Sequence, residues 1–154
     1  MKTALLLVAT ILLAGVALCQ TPAPAPTDEY TSLIKEGNTY LKAGDNAKAI
    51  EAYQKAAAIS PNPAQAYWNI CAVLYNVGDT VRSVDACRVA IRYNPNKADA
   101  YFVLGSVLFA NAAITDNGKV RASEELRGAL NKCLELAPDG PHAADTKEML
   151  KMLN

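Results

Sequence analysis

The chain has 154 residues, room for one domain, and its 15 basic and 15 acidic residues cancel. That balance lacks the cationic excess with which nucleic-acid and anionic-membrane binders hold their targets, so neither is an expected partner. Half of the chain is apolar (51%), with alanine and leucine dominant, which favours helices, and the single histidine, His142, narrows the catalytic options.

In chain order, the first stretch is "MKTALLLVATILLAGVALCQ". Lys2 precedes an apolar run from Ala4 to Leu18 that is about 22 Å long as a helix, short of a ~30 Å hydrocarbon core. Residues 1–19 therefore read as a signal peptide for export, in a periplasmic or secreted direction. Cleavage after Cys19 or after Ala17 fits the small residues there. Cys19 in "VALC" also permits a lipid anchor, against which Leu18 is bulky. Residues 20–28 form a Pro/Ala-rich linker, "QTPAPAPTD", extended and unable to pack.

Helical spacing then takes over, within a domain expected over 29–154. Leu33, Tyr40 and Leu41 precede a Gly44-Asp45 turn, and Ile50, Tyr53, Ala56 and Ala57 follow it before Pro61. Gly78-Asp79, Ala90 and Pro95 repeat that punctuation 34 residues on, with Tyr67, Ile70, Cys71 and Leu74 before the turn and Val84, Cys87, Ala90 and Ile91 after it. Spacings of three, four and seven put each set on one helix face. Glycine ends the first helix of each unit, and proline cannot continue the second. The third unit starts alike with "ADAYFVLGSVLF", but Pro138 arrives about nine residues late. The surplus lies in "NAAITDNGKVRAS", where the Gly-Asp pair is missing. There the first helix is expected to end near Ala112 or Ala113. A tight, partly exposed hairpin centred on Asn117-Gly118, both of which tolerate positive φ, is expected to project from the turn edge until Ser123 caps the next helix. A short final helix, "PHAADTKEMLKMLN", has Pro141 in its first turn and Ala143, Met149, Leu150 and Leu153 facing inward.

This pattern resembles the tetratricopeptide repeat, whose period is 34 and whose signature runs through Gly37, Tyr40, Ala49, Tyr53, Ala56 and Pro61 here. The resemblance implies an all-α fold. Three helix-turn-helix repeats (about 30–63, 64–97 and 98–140) would stack as a short right-handed superhelix, with a capping helix at 141–153. It also implies that the first helices of the repeats line a concave groove. A second stripe on those helices would be its floor: Ile34, Asn38 and Leu41, then Trp68, Ala72 and Tyr75 with Asn69 beside them, then Phe102, Ser106 and Phe109. Large aromatics there anchor a peptide or help to pack a narrow superhelix. A subgroup of the family clamps a terminal carboxylate with basic residues and asparagines in that groove. This chain keeps Asn38 and Asn69 but has Ile34, Asp99 and Val103 where the cations belong, so that clamp is missing.

Chemistry beyond binding finds little support. His142 and Asp145 lie one helical turn apart, too few ligands for a metal, and are expected to cap and to be solvated. There is no phosphate loop and no CxxC, so neither a cofactor, a metal nor an enzymatic role is expected. Cys71 and Cys87 flank the second turn at matched heights, fit either to bond in an oxidising compartment or to fill small core slots, and Cys133 reads as a core residue. The functional expectation is a non-catalytic adaptor for a protein or peptide, the alternative a structural assembly module working through its convex face or cap.

Overall fold

The computed structural model describes residues 27–154; the expected leader, Cys19 and most of the linker lie outside the described residues. Seven helices follow in order: α1 (Asp28–Lys42), α2 (Asn46–Ile59), α3 (Ala64–Asn76), α4 (Thr80–Tyr93), α5 (Ala98–Ala110), α6 (Glu124–Leu136) and α7 (Ala143–Met152). Each packs on the next, giving three antiparallel pairs and a final helix in a short superhelical stack. α3 also touches α5, so the first helices of the second and third pairs are neighbours.

Two residues suffice for each of the first two turns. Gly44 and Gly78 take φ of 78° and 79°, where a side chain is strained. Asp45 N–H reaches back to the Tyr40 carbonyl and Asp79 N–H to that of Leu74, each at 2.9 Å, which satisfies carbonyls the helix end leaves orphaned. The same aspartates then restart the chain, their carboxylates accepting from Lys48 N–H (3.1 Å) and Arg82 N–H (3.2 Å) as helix N-caps.

Inside each pair, one contact between the helices is written three ways. Gly37 lies so close to the Tyr53 ring that a Cβ would sit 2.4 Å from it, and Gly105 meets Leu130 at 2.6 Å. In the middle pair the matching residues are Cys71 and Cys87, whose sulfurs lie at bonding separation with Cα atoms 5.1 Å apart. Small against large is thus replaced by two small residues that can be joined covalently. Ser83, fully buried beside them, donates to the Cys71 carbonyl at 3.1 Å and so carries no unpaired hydroxyl into the core.

The third pair departs from its expected form in several ways. α5 stops at Ala110, short of Ala112: the Val107 carbonyl accepts from both the Asn111 backbone N–H (3.1 Å) and its side-chain amide (2.9 Å), and Ala112 N–H turns to the Phe109 carbonyl (3.2 Å). The expected hairpin is present, with Ile114 bridged antiparallel to Val120. Only Gly118 is left-handed (φ 75°). Asn117 instead uses its side-chain oxygen to accept from Lys119 N–H and the Thr115 hydroxyl, giving a three-residue loop with a glycine bulge. Nor does the loop merely project. Val120 is buried, and its N–H and C=O pair with the Met152 carbonyl (2.9 Å) and Asn154 N–H (3.0 Å). Ala122 N–H donates to the Asn154 side chain, and Lys119 Nζ to the Lys151 carbonyl at 2.7 Å. Val120, Leu126, Leu130 and Leu153 form a separate small core with Phe109, Met149 and Leu150 against it.

α7 differs in detail as well. Pro141 lies in the turn ahead of the helix, closed by Ala143 N–H on the Gly140 carbonyl, and not in its first turn. Thr146, a polar residue, is its most buried position: its hydroxyl donates to the His142 carbonyl (2.6 Å) and lies 3.7 Å from Cys133 Sγ. Burial pushes the Cys133 thiol up in pKa, which marks it as an inert core residue.

Candidate functional site

The face formed by α1, α3 and α5 carries the expected stripe. Helical geometry sets it: residues four and seven apart project from one side of each helix. Ile34, Trp68, Asn69, Ala72, Phe102, Ser106 and Phe109 are half-buried, while Asn38, Leu41 and Tyr75 are exposed. None of the ten is fully covered. Ile34, Trp68 and Phe102 rest on the central core with part of their surface, and Phe109 rests on the C-terminal one. Trp68, Phe102 and Phe109 therefore combine firm seating with accessible surface, the property of a binding anchor.

Polar groups in the stripe are oriented. The Asn38 side-chain oxygen accepts from the Tyr53 hydroxyl at 2.7 Å, and that of Asn69 accepts from Gln65 at 2.7 Å. Both amides thereby spend their acceptors internally and keep N–H donors for an incoming carbonyl. Ser106 Oγ is inaccessible and has no partner among the described residues, an unusual cost on the wall of this face.

Sequence reading missed the lower end of the face. The His142 ring stacks on Phe102, centroids 3.9 Å apart and planes 7° from parallel. The expected capping role is thus wrong: His142 makes no side-chain cap bond at α7 and serves as packing for α5. Its Nε2 lies 3.8 Å from Asp99, which also pairs with Lys97 at 3.1 Å, and Lys97 Nζ lies 5.0 Å from the centre of the Trp68 ring. Asp145 is exposed and joins none of this, so the suggested His142–Asp145 pair does not converge. Nothing adjacent in sequence signals the Phe102–His142 contact, which depends on how α7 docks. Val103, one of the positions lacking a clamp cation, is buried in the core. No group of three or more metal-ligating side chains is assembled among the described residues, and no described helix is long and apolar enough to cross a membrane.

With this geometry in place, comparison with known proteins is informative. Residues 37–78 match the family model described as a TPR repeat. Among solved structures, the Arabidopsis OM64 TPR domain is similar with a TM-score of 0.68 and 17% identity, over 82% of this chain and 98% of that one. The TPR2B domain of yeast Sti1, in complex with pHsp70, gives 0.66 and 19%, over 82% and 96%. The second TPR domain of human RPAP3, in complex with an HSP70 peptide, gives 0.67 and 19%, over 83% and 98%. A search of the curated proteins found no match. The chain thus has the fold of tetratricopeptide-repeat domains, and its first unit and a half carries that repeat's sequence signature.

Proposed function

We propose that this protein is a non-catalytic adaptor that holds a peptide or an extended protein segment along the face of α1, α3 and α5. One observation carries the reading: a continuous stripe with four aromatics that no element of the fold covers completely. Structures of the same fold include peptide complexes, which supports the choice of partner class. The leader-like start supports a site of work outside the cytoplasm, in the cell envelope or beyond, and intact-mass analysis of the mature chain checks it.

Capture of partners by the parent protein and by Trp68→Ala tests the reading. Loss of a central aromatic anchor costs about 2 kcal/mol or more, roughly a 30-fold loss of affinity. Equal capture by both proteins, at equal folded content, refutes it. A second reading, assembly through the opposite face, has its own support in Val77 and Val81. These are 49% and 75% exposed beside a shallow recess of about 370 Å³ near Ile50, Leu74 and Arg82. If that face is the working one, Val81→Ser abolishes capture and Trp68→Ala does not.

A further inference from the structure

We infer that Trp68 and Asp99 form a subsite for one basic side chain, lysine or arginine, of the bound segment, which displaces the chain's own Lys97 from it. The inference rests on the proposed peptide-binding role of this face and supplies the class of residue that the face selects.

Charge is scarce here. α3 and α5 together carry one charged residue, Asp99, in the first turn of α5. Both of its oxygens are engaged by side chains. Oδ2 lies 3.1 Å from Lys97 Nζ, and Oδ1 lies 3.8 Å from Nε2 of His142, whose ring is held flat on Phe102. The Lys97 ammonium also lies 5.0 Å from the centre of the Trp68 ring, within the range of a cation–π contact. One ammonium thus meets an aromatic face and a carboxylate together, the two groups that suit an alkylammonium or a guanidinium ion. Lys48 makes a similar pair of contacts with Tyr40 and Asp45, but Asp45 is already committed to capping α2. Asp99 has no such backbone duty.

Lys97 breaks a local rule to be there. It stands at the N-cap of α5 and makes no cap bond, whereas Thr27, Asp45, Asp79 and Ser123 each make one at the start of α1, α2, α4 and α6. A cation at that end also opposes the helix dipole. α5 therefore forgoes local stability for a side chain that reaches Asp99 and Trp68, the mark of a functional position. The ion pair stays open to exchange. Its side chains are 31% and 39% exposed, and a surface pair of this kind holds its partner weakly.

Four pentapeptides test this, each with four alanines around a central lysine, arginine, norleucine or glutamate. They are titrated into the full-length protein and read by emission of Trp68, the chain's single tryptophan. The lysine and arginine peptides are expected to bind about fivefold more tightly than the norleucine peptide, a neutral match for lysine. Lys97→Ala empties the subsite and is expected to widen that preference severalfold, because the competing occupant is gone. Asp99→Asn is expected to abolish it and Asp99→Glu to keep it, with melting temperature as the control for folding. Equal binding of the lysine and norleucine peptides overturns the inference, as does a preference that survives in Asp99→Asn or a Trp68 signal that answers to no basic peptide. Tighter binding of the glutamate peptide overturns it too, and makes Lys97 the anchor for an acidic partner. In each of these cases Trp68→Ala capture still decides the adaptor reading separately.

Discussion

The open face of α1, α3 and α5 and the closed end built from residues 114–122, α6 and the last residues of the chain use the same repeat to opposite ends. On the open face, Trp68, Tyr75, Phe102 and Phe109 keep accessible surface. At the closed end, Val120, Leu126, Leu130 and Leu153 are buried, and the backbone of Val120 is paired on both sides with the chain's last residues. A stack of helix pairs always leaves an unpartnered face on its last member. This chain deals with that by replacing a two-residue turn with an insertion that clasps the final helix, leaving the side face free for other contacts.

The contrast is best broken at the clasp. Replacing residues 114–120 by a Gly-Ser link removes buried Val120 and uncovers Leu153, and is expected to cost about 3–5 kcal/mol at two apolar side chains plus a short ladder. Urea unfolding measures it, and an unchanged midpoint would return the insertion to decoration. Next in size is the Cys71–Cys87 link. A loop of about 15 residues closed by a disulfide is worth about 3 kcal/mol, so Cys71→Ala with Cys87→Ala should lower stability by that amount. Non-reducing mass analysis after denaturation should show Cys133 as the one alkylatable thiol of residues 27–154; three such thiols would remove the link from the account.

The glycine turns come third. Gly44 and Gly118 face open space, so alanine at either should cost about 1–2 kcal/mol from the left-handed backbone alone, read as melting-temperature shifts. On the open face the sign reverses: Ser106→Ala removes an unpartnered buried oxygen and should leave stability unchanged or raise it by about 1 kcal/mol. The smallest effect belongs to Arg88 and Glu125, joined by two 2.8 Å bonds on the surface between α4 and α6. Exposure limits Arg88→Ala to about 1 kcal/mol or less. The Arg88 hydrogen bonds hold the Glu125 carboxyl below its ordinary pKa. That contribution is therefore full above the ordinary glutamate range and fades as pH falls through the depressed value, so parent and variant should converge in acid.

Much of the open face was legible in the sequence because its signals are local and periodic. Gly44-Asp45 and Gly78-Asp79 each end one helix and cap the next within two residues, and the stripe follows from helical spacing. The closed end was legible only in part. Asn117-Gly118 marks a turn, yet Asn117 spends its side chain on Thr115 and Lys119 and so has no need of a positive φ. Contacts such as Ala122 with Asn154, or Phe102 with His142, join residues more than 30 positions apart and depend on how α7 docks, which no local pattern encodes. Thr146 has no place in the apolar pattern, yet a polar residue becomes the most buried of its helix once its hydroxyl is satisfied at His142.

The most direct measurement is the emission of Trp68 while a captured partner is titrated into the parent protein. Because Trp68 is the chain's single tryptophan and lies half-buried on the open face, binding there must dry its surroundings. A saturable blue shift tracking complex formation is predicted. Full complex formation with no change in Trp68 emission would contradict the account and move the binding surface elsewhere on the molecule.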